Sequence, residues 1–133
     1  MSFSQQNNNS YSVNYTDRFA TFKLSRHLRS LVPLHDHSYI VCCIGTDRST
    51  GDSLGPLTGS LLEKYRLDKL QVYGTLHKPL HALNLSETIK SIHESFNNPF
   101  IIAVDAALGH FTSIGKFYCG TGPLQPGSAL NKD

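Results

Sequence analysis

Acidic side chains stand out in the one loop of this sequence that combines glycines with potential catalytic groups. The segment 45–56 contains Asp47 and Asp52, spaced among three glycines. A phosphate-binding P-loop needs four residues between its glycines and then a lysine. Here five residues separate Gly45 from Gly51, and an acid follows. Because both the spacing and the charge are wrong for a phosphate, the loop indicates carboxylate chemistry instead.

Asp105 supplies a second carboxylate. It directly follows the apolar run 100–104, and Asp52 lies in the loop that follows the apolar run 39–44. Side chains at the carboxyl ends of neighbouring parallel strands meet in one crevice, so adjacent strands would bring both acids together. Such a pair can share a proton and activate water for attack on an amide. It can alternatively hold a divalent metal.

Each acid also has a purely structural interpretation. The Asp52 side chain could cap the helix that follows it by accepting hydrogen bonds from its first free amides. Asp105 could cap a turn after its strand. Neither interpretation is excluded by the sequence.

The histidines are weaker candidates for a metal site. His35 and His37 form an H-x-H pair, and His77 and His81 are four residues apart. Pro79 lies between the latter two and disfavours a shared helical face. We therefore interpret all four as solvated loop residues and expect neither a metal nor a cofactor.

The cysteines and the loop serine are not expected to be nucleophiles. Cys42 and Cys43 are neighbours in an apolar run, where they point to opposite faces of a strand and cannot easily form a disulfide. With Cys119 they are interpreted as small core residues in a reducing compartment. Ser53 lacks the G-x-S-x-G setting of a hydrolase nucleophile.

Composition favours a single globular domain. The chain has 133 residues, 39% of them hydrophobic, and a formal net charge of +2. Its basic residues form no dense block, so we expect neither a nucleic acid nor a membrane partner. No apolar run approaches the roughly 20 residues of a membrane span, and the N-terminus lacks a signal-peptide pattern. These features predict a cytoplasmic protein of undetermined oligomeric state.

The order of hydrophobic patterns predicts the α/β class. Residues 1–15 are rich in Ser, Gln and Asn and are expected to be a disordered polar tail, followed by a single domain at 16–133. Thr16 and Asp17 could cap a first helix that Pro33 ends. Further elements are predicted as follows: a strand at 39–44, a helix after Pro56, a strand at 71–76, a helix opened by a capping box of Asn84 and Glu87, and strands at 100–105 and 114–119. Such alternation implies a mostly parallel sheet with helices on both faces.

Three segments closely resemble a known family. They are Ile44-Gly-Thr-Asp-Arg-Ser-Thr-Gly-Asp-Ser-Leu-Gly-Pro-Leu57, Val72-Tyr-Gly-Thr-Leu76 and Ile101-Ile-Ala-Val-Asp-Ala106. From about Tyr15 to the last residue, the sequence resembles the sporulation proteins of the YyaC type. That family is similar to the germination protease of spore-forming bacteria and, more distantly, to the hydrogenase maturation proteases. The resemblance implies a three-layer α/β/α fold of the phosphorylase/hydrolase-like kind.

The resemblance to the germination protease also implies roles for particular residues. Asp52 and Asp105 match its proposed catalytic pair, and Thr121-Gly-Pro-Leu-Gln-Pro-Gly-Ser128 reproduces one of its motifs. Candidate substrate-binding residues are Asp47, Arg48, Gly45, Gly51, Gly127 and Ser128. The implied activity is peptide hydrolysis, with small acid-soluble spore proteins as candidate substrates in the forespore or spore cytoplasm. The alternatives are a non-enzymatic binding protein of sporulation and a metal-binding module. Family members continue beyond the position of Asp133, so the resemblance also implies a fold truncated at its C-terminus.

Overall fold

A three-stranded parallel sheet and a two-stranded antiparallel sheet organise the part of the chain that the computed structural model describes, residues 10–107 and 111–122. The elements in chain order are β1 (Tyr11–Asn14), α1 (Ala20–Leu31), β2 (Ser38–Cys43), α2 (Leu54–Lys64), β3 (Leu70–Tyr73), α3 (Leu85–Ser95), β4 (Pro99–Val104) and β5 (Lys116–Cys119). Short 3₁₀ turns occupy Thr50–Asp52 and Phe111–Ser113. The predicted α/β class is confirmed.

Strand β2 is the centre of the parallel sheet, whose order is β3-β2-β4. Tyr39 pairs with Leu70 of β3 on one side, and Cys43 pairs with Val104 of β4 on the other. A strand flanked on both edges and covered on both faces cannot alternate polar and apolar residues. The continuous apolar run of β2 meets that requirement, and residues 40–43 are all buried.

Helices α2 and α3 pack on opposite faces of this sheet. On one face, Ile40 and Cys42 form the hydrophobic core with Leu85 and Ile92 of α3. On the other face, α2 approaches β2 and β3 so closely at Gly59 that a side chain there would overlap the carbonyl oxygen of Gly74. Alternate residues of a strand point to opposite faces, which is why neighbouring residues of β2 contact different helices.

The second sheet corrects two of our sequence predictions. Tyr11–Asn14 were expected to belong to a disordered tail ending at residue 15, but they form β1 and pair antiparallel with β5. Their polar composition conceals one inward apolar residue, Val13, which is only 6% exposed. A strand was predicted at 114–119 in a fold with a mostly parallel sheet. Strand β5 spans Lys116–Cys119 and belongs to this separate antiparallel pair, on which α1 packs. The first nine residues lie outside the described part of the chain.

The predicted capping box of α3 is also wrong. Asn84 is the N-cap residue, but its side chain makes no capping hydrogen bond to the helix. The Asn84 side-chain oxygen accepts from the backbone amide of His81 at 2.8 Å, and its nitrogen donates to the Pro79 carbonyl at 3.1 Å. Asn84 therefore braces the turn before the helix rather than the helix itself.

Among the described residues, no helix is long and apolar enough to cross a membrane.

Candidate functional site

The pairing of β2 with β4 brings the acidic loop and Asp105 to one edge of the parallel sheet. Asp105 immediately follows β4, and the backbone amide of Ile44 donates to the Val104 carbonyl at 2.7 Å. The chain that leaves β2 therefore starts its loop beside Asp105. This adjacency is the condition on which the paired-carboxylate prediction depended.

The loop then folds back on its own start. The amide of Thr46 donates to the Asp52 carbonyl at 3.0 Å, and the amide of Asp52 donates to the Ser49 carbonyl at 3.0 Å. Gly45 is buried with a φ of +144°, and a side chain at this position would overlap the Asp52 carbonyl oxygen. Only glycine accepts this combination, so Gly45 fixes the position of Asp52 rather than offering a contact to a ligand.

A third segment supports the same edge. The amide of Gly45 donates to the Leu80 carbonyl at 2.8 Å, and Ile44 and Leu80 form an isolated parallel bridge. Leu80 lies in the turn that Asn84 braces. Sequence reasoning missed this support because a backbone carbonyl provides it. The polar residue Asn84 shortly after Pro79 was the signal that could have indicated a braced turn here.

The carboxylate of Asp52 is half-buried and does not cap α2. The N-cap residue is Ser53, whose hydroxyl donates to the Thr50 carbonyl at 2.8 Å. Within the described part of the chain, the Asp52 carboxylate makes no side-chain hydrogen bond. The helix-cap interpretation of Asp52 is therefore wrong, and its oxygens remain available for a ligand or a water molecule.

The carboxyl group of Asp105 is also half-buried, and its protonation is linked to Asp52. Burial raises the pKa of Asp105 above its ordinary value, and the negative charge of Asp52 raises it further. The backbone amide of Ala106 interacts with the same carboxylate and acts in the opposite direction. Desolvation and a nearby like charge both favour the neutral acid. At this edge of the sheet, Asp105 therefore retains its proton more readily than an isolated aspartate would.

The other candidate residues lie further out or beyond the described residues. Asp47, Arg48 and Gly51 are exposed in the loop. The backbone amide of Arg48 donates to the Thr46 hydroxyl at 3.2 Å, and the residue is exposed. Gly127 and Ser128 lie outside the part of the chain that the structure describes.

The remaining potential nucleophiles and ligands show structural roles. Burial raises the pKa of the Cys42 thiol to about 11, and burial together with the Cys42 charge raises that of Cys43 to about 12. Because the thiolate is the nucleophile, both thiols are inert near neutral pH. His81 accepts a hydrogen bond from the amide of Leu83 at 3.2 Å. Among the described residues, no three His, Cys, Asp or Glu side chains lie close enough together to hold a metal ion.

Comparison with known proteins places the chain in a family. Residues 12–133 match the family described as "Protein of unknown function (DUF1256)". The chain belongs to the DUF1256 family. It is 47% identical over 132 residues to the uncharacterized protein YyaC of Bacillus subtilis (strain 168). The match covers 98% of this chain but 64% of the relative, so the chain spans less than two thirds of that protein. No solved structure matches the chain.

Proposed function

We propose that this DUF1256 protein is a peptidase-like protein of sporulating bacteria that hydrolyses a peptide bond with Asp52 and Asp105. One observation carries the proposal: the pairing of β2 with β4 brings the loop of Asp52 to the strand end that is followed by the half-buried Asp105. A half-buried acid with a raised pKa is a recognised feature of catalytic sites, and burial raises the pKa of Asp105. The Asp52 carboxylate makes no hydrogen bond with the described residues, so its oxygens are available to a water molecule or a substrate.

The proposal includes a kinship with the germination protease and with its three-layer α/β/α fold. The packing of α2 and α3 on opposite faces of the parallel sheet is compatible with that architecture. The sequence Asp52-Ser-Leu-Gly-Pro56 and the position of Asp105 after β4 support the kinship. Fold alone does not determine an activity, so the argument for hydrolysis depends on the acid pair.

The proposed mechanism assigns different protonation states to the two acids. Asp105 holds a proton and donates it in a hydrogen bond to the scissile carbonyl oxygen. Ionised Asp52 accepts a proton from a water molecule as the water oxygen attacks the carbonyl carbon. Collapse of the tetrahedral intermediate breaks the carbon–nitrogen bond, and the proton held by Asp52 passes to the leaving amine. Asp105 keeps its proton throughout, so collapse of the intermediate leaves Asp105 neutral and Asp52 ionised, as at the start.

The substrate in this proposal is a peptide or an unfolded protein segment. Asp47, Arg48 and Gly51 lie on the exposed part of the loop, where they would contact residues on either side of the scissile bond. Gly127 and Ser128 are proposed as further substrate-binding residues by resemblance to the germination protease. Small acid-soluble spore proteins are the proposed natural substrates, and the forespore cytoplasm is the proposed location.

Incubation with small acid-soluble spore proteins and with an unfolded protein tests the activity by mass spectrometry of the fragments. The parent is expected to cleave, and Asp52→Asn and Asp105→Asn are expected to lose at least about 10²-fold in rate, since each removes an acid–base group. Asp68→Asn removes an exposed acid outside the loop and serves as the matched control.

The alternatives to hydrolysis predict different results. Cleavage that survives both substitutions would exclude the acid pair as its source. Stable binding of a peptide without cleavage would favour a non-enzymatic binding protein of the same fold. Calorimetric binding of Mg²⁺, Ca²⁺, Zn²⁺ or Ni²⁺ that both substitutions abolish would favour the metal-binding alternative.

A further inference from the structure

Helix α1 gathers basic and aromatic residues on its outer surface. Phe22, Arg26 and Arg29 follow each other at intervals of four and three residues, which places them on one side of a helix. Phe19 precedes Phe22 by three residues at the N-terminal end of the helix. We call these four residues, Phe19, Phe22, Arg26 and Arg29, the basic–aromatic stripe.

The stripe faces away from the protein. Phe19 is 56% exposed and Phe22 is 63% exposed, and both arginines are exposed as well. The opposite side of α1 carries the half-buried residues Leu24, His27 and Leu28. Helix α1 packs on the β1–β5 sheet, where the ring of His27 stacks on Tyr11 of β1. The exposed phenylalanines therefore do not belong to the inner face of α1, which lies on the opposite side of the helix.

The charge of the stripe is not neutralised by any residue that the structure describes. Neither Arg26 nor Arg29 forms an ion pair with any described residue. The acid nearest to the start of α1, Asp17, pairs instead with Lys23 at 2.6 Å. Arg18 lies over the ring of Phe19 at 5.6 Å from its centroid, which places a further positive charge beside the stripe.

We propose that the basic–aromatic stripe docks α1 onto a membrane surface that contains anionic phospholipids. The arginines contact the phosphate groups, and the two phenyl rings enter the interfacial region between headgroups and acyl chains. Charge complementarity identifies the anionic lipid, and the protruding phenylalanines explain why a surface with an accessible apolar layer is preferred. The sequence alone disfavoured a membrane partner because its basic residues form no continuous block. Helix α1 places Arg26 and Arg29 on the same side, although they are not adjacent in the sequence.

The shape of the stripe favours a planar surface over an acidic peptide. The outer surface of a single helix is convex, while peptide recognition commonly uses a groove or a free sheet edge. Two exposed rings on a convex surface can enter a lipid interface together. This docking is independent of the acid pair, because the stripe belongs to α1 and contributes no residue to the sheet edge that carries Asp52 and Asp105.

Co-sedimentation with vesicles tests the proposal. The full chain is expected to bind vesicles of phosphatidylglycerol and phosphatidylcholine mixed equally, and not vesicles of phosphatidylcholine alone. The double variant Arg26→Gln/Arg29→Gln is expected to bind about thirtyfold more weakly, because each basic residue near an anionic surface contributes about fivefold to the affinity. Phe22→Ser is expected to weaken binding about tenfold through loss of the interfacial contact.

Matched controls separate the stripe from net charge and from general hydrophobicity. Lys64→Gln/Lys90→Gln removes the same charge from α2 and α3 and is expected to leave binding within about twofold. Leu83→Ser removes a side chain that is 92% exposed in a loop and should also have no effect. Circular dichroism confirms that each variant is folded.

Several outcomes would overturn the proposal. These are an absence of binding to the mixed vesicles, equal binding to neutral vesicles, and an equal loss of binding in the two charge-reduced double variants. Binding to polyglutamate without binding to vesicles would also overturn it and would identify an acidic protein as the partner. Asp105→Asn should bind vesicles like the parent, so the outcome does not depend on the catalytic proposal.

Discussion

The residues around the two sheets of this protein differ strongly in how deeply they are buried. Around the parallel sheet, Ile40 and Ile92 are fully buried, and the Gly45 position leaves no room for a side chain. On the antiparallel sheet, α1 has no buried residue at all. The difference indicates that the carboxyl edge of the parallel sheet can hold two acids in a fixed arrangement. The α1 region instead presents its surface for contact.

Truncation of a core side chain in each region should give the largest contrast. Ile92→Ala is expected to destabilise the protein by about 3 kcal/mol, because it leaves a cavity in the packed core. Leu28→Ala on the inner side of α1 should cost only about 1 kcal/mol, because that side chain is half-buried and loses less area. Urea denaturation measures both changes. Equal losses would mean that α1 is packed as tightly as α3.

Two glycines of the acidic loop differ in the space that they leave for a side chain. Gly45→Ala should destabilise by about 2 kcal/mol, since its φ of +144° and its contact with the Asp52 carbonyl both exclude a side chain. At Gly51 the nearest atom to an added methyl group is the Ser49 hydroxyl oxygen at 4.0 Å, so Gly51→Ala should be nearly neutral. Thermal unfolding of the Gly45→Ala and Gly51→Ala variants measures both changes in stability. A large loss at Gly51 would show that the outer loop is as constrained as its base.

The pH dependence of stability should reveal the burial of Asp105. Its pKa is raised in the folded state, so the folded protein binds more protons than the unfolded chain between the ordinary aspartate pKa and the raised one. Stability from this group is therefore lost as the pH rises through that window. Asp105→Asn removes the dependence, so the melting temperature of the variant relative to the parent should rise from pH 3 to pH 7. A constant difference would contradict the assigned direction.

The sequence was most informative where local composition determined the structure. Continuous apolar runs correctly indicated β2 and β4. Burial on both faces explains the run in β2, whereas the residues of β4 are only half-buried. Strand β1 escaped detection because only Val13 of its four residues is buried and the flanking residues are polar. The composition of a short edge strand carries too little signal to outweigh a polar neighbourhood.

The geometry of the candidate site could be predicted only in part. The strand-end argument selected Asp52 and Asp105, but the adjacency of β2 and β4 depends on strand order, which no local pattern encodes. The support from the Leu80 carbonyl was also invisible, since any residue can provide a backbone acceptor. The resemblance to a protease family distinguished Asp52 from Asp47, a distinction that spacing alone left open.

Carboxyl-carbon NMR titration measures the proposed electrostatic coupling of Asp52 and Asp105. The Asp105 carboxyl resonance is followed from pH 2 to pH 9 in the parent and in Asp52→Asn, with Asp68→Asn as the control. We expect the pKa of Asp105 to lie above that of an isolated aspartate and to fall when Asp52 is replaced by asparagine. An Asp105 pKa that is identical in the parent and in Asp52→Asn would contradict the existence of an acid pair.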